Sequence, residues 1–298
     1  MRLGFLSLGF LCVACSASAA ASAPVSASAA HVSFVPDAVD KRADAEDQLE
    51  KSRFAISFYQ PTYIMPFYYT GSPDQAVYTQ TPDDQSIQNL ELKFQLSFKY
   101  PVLRFSKKHK LYIAYTQMSY WQAYQGSAFF RETNYKPEVF LANRIDMPIG
   151  HHGWQANFLN VGAMHQSNGE GGSMERSWNR VYVNLIAGKG NLMMAVQPWY
   201  IFHDSTMEEH NPDIGHYMGY EQMIVAYQYH GQEFSLQARN TVESGLQRGG
   251  YTLSWSFPTG VHYLKGYLQV FSGYGQSLIE YNHRTNSIGI GFSLSDWL

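Results

Sequence analysis

The stretch Leu90-Glu91-Leu92-Lys93-Phe94-Gln95-Leu96-Ser97-Phe98-Lys99-Tyr100 decides how the rest of the chain is read. Leu90, Leu92, Phe94, Leu96, Phe98 and Tyr100 alternate with Glu91, Lys93, Gln95, Ser97 and Lys99. Successive side chains of a strand point to opposite faces, so this segment has one apolar and one polar face. A soluble sandwich uses the same pattern; strand length and strand number separate the two. Twelve segments of strand character follow, near 53–60, 89–100, 109–122, 137–145, 154–167, 177–187, 191–203, 217–229, 233–243, 249–257, 262–273 and 285–298. Many reach about ten residues, the span of a tilted transmembrane strand. An even count suits a bacterial barrel with both termini on the periplasmic side. The chain is therefore expected to be all-β, a twelve-stranded antiparallel transmembrane β-barrel over 53–298.

The composition of the 298 residues agrees: 15% are charged, 15% are aromatic, and 22 are Tyr. Mean hydropathy is −0.29, so apolar groups are interspersed with polar ones. That excludes a polytopic helical membrane protein, which needs several runs of about 20 apolar residues. A formal charge of −3 provides no basic field, and no nucleic-acid partner is expected. In the last strand Ile288, Ile290, Phe292, Leu294 and Leu298 share a face, opposite Gly289, Gly291, Ser293 and Ser295. Asp296 interrupts the apolar face near the interface, and Trp297 is placed for an aromatic girdle. Tyr59 through Tyr69, with Pro61 and Pro66, reads as a girdle and a loop. Lys107-Lys108-His109-Lys110 reads as a periplasmic turn with its lysines near anionic headgroups.

The amino terminus reads as an address. Arg2 and the apolar run Leu3–Cys15 make residues 1–23 a signal peptide, with small-x-small cleavage candidates near Ala19, Ala23 and Ala29. A lipoprotein signal ending at Cys15 is the rival. Cys12 and Cys15 are the only cysteines, so the mature chain is expected to have no disulfide and no Cys nucleophile. Residues 24–52 are polar and read as a mobile arm.

The chemical anomaly lies at 159–187. Leu159, Val161, Ala163, His165 and Ser167 share one parity; Asn179, Val181, Val183, Leu185 and Ala187 share another on the following strand. If the apolar faces meet lipid, His165, Ser167 and Asn179 project outward, where polar groups are costly. The 168–178 hairpin brings Asn179 beside His165 and Ser167. The three types form a nucleophile, a base and an orienter. An ordinary loop mouth, where His, Ser and Asn are common, stays open on spacing alone. No G-x-S-x-G elbow is present. His203-Asp204 with His210 suggests a metal site less readily than a polar loop.

His165-Gln166-Ser167-Asn168-Gly169 followed by Arg176-Ser177-Trp178-Asn179-Arg180 resembles the bacterial outer membrane phospholipase A family. Further matching blocks are Phe130-Arg131-Glu132-Thr133-Asn134-Tyr135, Tyr217-Met218-Gly219-Tyr220 and Ser272-Gly273-Tyr274-Gly275. The resemblance runs from about Phe54 to the C-terminus. It implies a twelve-stranded barrel and calcium-dependent hydrolysis of phospholipid acyl esters, phospholipase A1/A2 chemistry among outer membrane lipids. It assigns Ser167 as nucleophile, His165 as base and acid, and Asn179 as orienter. It also implies a calcium ion shared by a homodimer that is the active form. The ion's ligands would be the Glu170 carbonyl, the side chain of Glu175, and Ser127 of the partner subunit, with the Gly169 amide assisting at the oxyanion. Glu175 stands where the family pattern has Ser, and Glu170 replaces a basic residue; a solvated acidic loop is the bland reading of both. Gln117 shares the parity of Leu111, Ile113 and Tyr115, which points it outward; Tyr112, Ala114 and Met118 on the other face leave a lumen-facing Gln117 as the alternative. The resemblance places Gln117 at a dimer contact. A passive pore or fatty-acid channel, and a structural barrel or adhesin, are the rival functions.

Overall fold

The alternation at 90–100 sets the wall. Leu96 and Phe98 are 45% and 41% exposed, whereas Lys93 and Ser97 are 4% and 2% exposed, so the apolar face looks out and the polar face looks in. Outward aliphatics recur as Ile113, Val139, Val161, Val183, Leu253 and Ile290. A soluble monomer does not expose apolar surface in that continuous fashion; lipid makes it favourable.

The computed structural model describes residues 37–51, 56–239, 244–245, 247–261 and 263–298. The expected signal peptide lies outside the described residues. The strand segments are β1 (Ser57–Phe58), β2 (Thr62–Thr70), β3 (Leu90–Arg104), β4 (His109–Trp121), β5 (Phe130–Ile149), β6 (Trp154–Ser167) and β7 (Ser177–Lys189). They continue with β8 (Leu192–Phe202), β9 (Glu221–Tyr229), β10 (Gln232–Arg239), β11 (Gly250–Pro258), β12 (Lys265–Tyr274) and β13 (Arg284–Ser295). Each pairs antiparallel with its neighbours, and β13 returns to β2. Because β1 and β2 both pair with β3, they form one stave, and the closed barrel has twelve. No helix among the described residues is long and apolar enough to cross a membrane.

Several expectations are corrected. The first stave centres on β2, not on 53–60, so Tyr59–Tyr69 is mostly strand rather than girdle and loop. Pro66 sits in a register shift between Met65 and Tyr68, where its missing N–H interrupts no regular ladder. β5 begins at Phe130 rather than 137. Its polar start was hard to read as strand, yet Arg131, Glu132 and Asn134 face a polar interior and are buried there. Before β9 the chain forms two short helices, α2 (Ser205–His210) and α3 (Ile214–Met218), where strand was expected from 217. Trp297 leaves the girdle position and packs against Val39, Met193 and Ala195 inside the barrel, and buried Asp296 accepts from Ser256 and Lys265.

The largest departure is in the polar arm, where residues 38–49 form helix α1 (Ala38–Leu49). Asp37 caps it by accepting from the Asp40 amide at 2.9 Å, and no Gly or Pro interrupts it. Its charges are matched by inward lysines and arginines of the wall. Glu46 meets Lys99 at 2.7 Å, Glu50 meets Arg104 at 2.6 Å and Lys110 at 2.7 Å, and Asp40 meets Arg144 at 2.8 Å. Lys110 thus turns into the barrel rather than toward headgroups. Helix α1 fills the end bearing the short turns, which is periplasmic in barrels of this type.

The opposite end is tied shut. Arg131 donates to Glu91 at 2.7 and 2.9 Å and to Glu280 at 2.9 Å. Glu132 and Asn134 accept from the Ile279 and Leu278 amides at 3.0 and 2.9 Å. These contacts give a structural reason for the Phe130–Tyr135 block. On the inner wall Lys93 donates to Gln269, three staves away, at 2.8 Å.

Candidate active site

Strand parity places the reactive groups. On β6, Met164 is buried toward the lumen, while His165 is exposed on the outer wall and Ser167 half-buried there. On β7, Trp178 and Arg180 point inward and Asn179 outward, in line with exposed Val181 and Val183. The β6–β7 register makes His165 and Asn179 direct cross-strand partners, and Ser167 faces Ser177. From the lumen side Gln166 accepts from Trp178 Nε1 at 3.1 Å and Arg180 Nη2 at 2.9 Å. The Arg180 guanidinium lies 3.5 Å from the Trp178 ring centroid. This cluster fixes the two strands from behind.

His165 Nδ1 and Asn179 Oδ1 are 2.8 Å apart. An amide oxygen only accepts, so Nδ1 carries a proton, and in the neutral ring Nε2 is then the nitrogen with the lone pair. Among the described residues no hydrogen bond joins Ser167 to His165. They are two positions apart on one face, about 6.5–7 Å along the strand, and catalytic contacts are often long in resting enzymes. An apolar groove on the wall, lined by Phe98, Ile113, Val139, Ala163 and Phe202, runs up to His165 and Asn179.

The sequence did not tie two further residues to this site. Asp204 accepts from Asn179 Nδ2 at 2.6 Å. It stands 25 positions from Asn179 and only the β7–β8 register joins them; the pairing of Asn179 with Phe202 was the signal to follow. Asn168 is buried and organises the 168–176 loop. Its Oδ1 accepts from the Glu170 and Arg176 amides at 3.3 and 3.0 Å, and its Nδ2 donates to the Met174 carbonyl at 2.8 Å. Gly169 has φ +72°, and a Cβ there would sit 3.0 Å from the Tyr135 ring. The glycine is needed for both reasons.

The remaining candidates are dispersed. Glu175 faces His210 at 3.7 Å, and Glu170 is exposed. Ser127, on the loop after β4, donates to Asp83 at 2.8 Å and touches neither glutamate among the described residues. His203 pairs with Glu208, so His203, Asp204 and His210 do not converge. Among the described residues no three His, Cys, Asp or Glu side chains gather as a metal site. Hydroxyl, carboxylate and carbonyl donors do match a hard cation such as calcium, which takes six to eight oxygens. Gln117 lies on the outward row; its amide accepts from Tyr115 at 2.9 Å and donates to Ser119 at 3.1 Å.

The model of the family described as Phospholipase A1 matches residues 39–294. The chain is 35% identical to Phospholipase A1 of Klebsiella pneumoniae over 247 residues, 82% of this chain and 83% of that one. It is 37% identical to Phospholipase A1 of Escherichia coli K12 over 235 residues, 74% and 78% of the two chains. Among solved structures it is similar to the outer membrane phospholipase dimer of Salmonella typhi with bound calcium, with TM-score 0.78 and 33% identity over 84% of this chain and 96% of that one. The outer membrane phospholipase A of Escherichia coli gives TM-score 0.79 and 32% identity over 86% and 98%.

Proposed function

This chain belongs to the phospholipase A1 family, and from that premise we propose that it hydrolyses acyl esters of membrane phospholipids in a calcium-dependent reaction carried by Ser167, His165 and Asn179. It is an enzyme of the bacterial outer membrane. The observation that carries the proposed mechanism is the 2.8 Å contact between His165 and Asn179 on the lipid-facing wall, beside Ser167 and at the end of an apolar groove. An acyl chain still embedded in the bilayer reaches that groove without crossing water.

Ser167 Oγ attacks the ester carbonyl carbon, and its proton passes to His165 Nε2. Asn179 accepts from Nδ1 and steadies the imidazolium. The tetrahedral oxyanion receives the Gly169 N–H. Collapse releases the lysophospholipid alcohol, which takes the proton from His165; water then repeats the sequence and frees the fatty acid. The Glu170 carbonyl, the Glu175 side chain and the partner subunit's Ser127 would hold a calcium ion, whose positive charge would stabilise the oxyanion. A dimer is required for that ligand set, with Gln117 at the contact. The pore alternative asks for an open lumen. Here the Arg131–Glu280 pair ties the wall to a loop at one end and α1 occupies the other, which favours the hydrolase.

Ester release from mixed micelles tests this reading on the purified, folded barrel. The parent protein should be active with calcium and silenced by a chelator. Ser167→Ala and His165→Ala lose nearly all turnover, while Asn179→Ala keeps a measurable residue because an orienter improves geometry without taking part in bond making. Normal turnover in a folded Ser167→Ala barrel overturns the assignment.

A further inference from the structure

Asn179 is itself held. Its Nδ2 donates to Asp204 Oδ2 at 2.6 Å, while Asp204 Oδ1 accepts from the Met207 amide at 2.9 Å as the cap of α2. The Asp204 carbonyl accepts from the Glu208 amide at 3.0 Å. Asp204 lies two residues beyond Phe202, the cross-strand partner of Asn179, so the chain leaving β8 folds the carboxylate back over the amide. His203 is engaged with Glu208 and does not compete for it.

We propose that Asp204 is a positioning residue that acts through Asn179 to fix the tautomer of His165. The proposal rests on the Ser167–His165–Asn179 reading above. A primary amide has two orientations of nearly equal shape, one presenting oxygen and the other NH2. An ionised carboxylate only accepts, so the NH2 end faces Asp204 and the oxygen end faces His165. In the flipped amide, NH2 would meet Nδ1, the imidazole proton would move to Nε2, and Ser167 would lose its proton acceptor. The carboxylate also places negative charge one residue removed from the imidazolium that forms during attack, so the neutral Asn relays what a direct aspartate would otherwise supply.

The rival role for Asp204 is capping α2 alone. Asparagine and serine cap helices about as well as aspartate, so capping predicts little change in Asp204→Asn. Positioning predicts a kcat lower by on the order of 10-fold with KM unchanged, since a charge-assisted bond is lost and a second amide can support either orientation. Asp204→Asn then has no further effect in an Asn179→Ala background. An exchange is the sharper test. Asn179→Asp alone sets two carboxylates against each other and is poorly active; adding Asp204→Asn restores activity severalfold, because the amide then donates to the carboxylate that faces His165. Heat-modifiable electrophoretic migration checks folding of each variant.

Unchanged kcat in Asp204→Asn, or further loss in the exchanged pair, overturns the proposal. A readout independent of turnover separates it from the hydrolase reading. Nitrogen-15 spectra of His165 should report Nδ1–H in the parent and a mixture of tautomers in Asp204→Asn, even in a Ser167→Ala barrel. Spectra unchanged by the substitution reject the positioning role, whereas retained turnover in Ser167→Ala rejects the catalytic assignment.

Discussion

Gln117 and Ser167 both pair with Tyr135, one from each side: Gln117 across the β4–β5 ladder and Ser167 across the β5–β6 ladder. Neighbouring strands lie about 4.8 Å apart, so the two positions stand roughly 10 Å apart on the same outer wall. A second barrel docked over Gln117 therefore reaches the rim of the Ser167 loop. The proposed dimer contact and the proposed nucleophile are neighbours by register.

That relationship makes the dimer testable at Gln117. Its amide is satisfied by Tyr115 and Ser119 within its own strand, so the monomer tolerates it in lipid. The polar row remains on an otherwise apolar wall, and a two-fold partner offers it further bonds. Gln117→Leu should leave the barrel folded and weaken calcium-induced crosslinking in detergent. Hydrolysis should fall in parallel by about the same factor. Full activity from a species shown to be monomeric removes the shared site.

Asn168 gives a prediction about a residue with no part in bond making. Truncation to alanine strips an acceptor from two amides and a donor from the Met174 carbonyl, and each unsatisfied group costs about 1–3 kcal/mol. The barrel carries many other contacts and should stay folded. The loop bearing Gly169, Glu170 and Glu175 should lose its shape. Asn168→Ala is expected to lower kcat/KM by at least about tenfold and to raise the calcium needed for half-activation. Parent-like kinetics would make the Asn168 network irrelevant to the site.

What the sequence disclosed follows from where each partner sits. Alternation at 90–100 was plain because lipid and lumen demand opposite chemistry on adjacent residues. His165 and Asn179 could be paired because one hairpin joins their strands. Strand β2 was obscured by Pro61 and Pro66, which punctuate a sequence even where a bulge absorbs them. Helix α1 was obscured differently. Its acidic face looks solvated until Lys99, Arg104, Lys110 and Arg144, 50 or more positions away, are seen to converge on it. Asp204 has the same character, since only the closed register carries it to Asn179.

Helix α1 should respond to acid through Glu46. Burial disfavours its ionised form, but the charges of Lys99 and Arg42 outweigh burial and hold its carboxyl below the usual range. A group depressed in the folded state contributes stability above its unfolded value of about 4.3 and loses it as pH falls through the folded value. Asp40 shifts the other way, raised by burial and by Asp37, and does not share that loss. Val39→Cys, buried beside Met193 and Ala195, reports undocking through its reaction with dithiodipyridine. Adding Glu46→Gln should speed labelling severalfold at pH 7, and the gap should close as pH drops toward 4 and below. A gap independent of pH would remove the ion pairs as the cause.

The calcium reading turns on Glu175, whose carboxylate lies 3.7 Å from His210 Nε2. A carboxylate is a stronger ligand for a hard cation than the hydroxyl of the family pattern, and affinity follows the charge of the ligand set. Glu175→Ala should raise the calcium concentration for half-activation on the order of 10-fold. Glu175→Ser, which keeps an oxygen, should fall between alanine and parent. Glu170→Ala should change little, because the proposed donor at that position is the backbone carbonyl, which the substitution retains. Titrating hydrolysis against calcium for the three variants distinguishes these outcomes. Half-saturation in Glu175→Ala equal to the parent would take this side chain out of the ligand set and leave the ion to the backbone and the partner subunit.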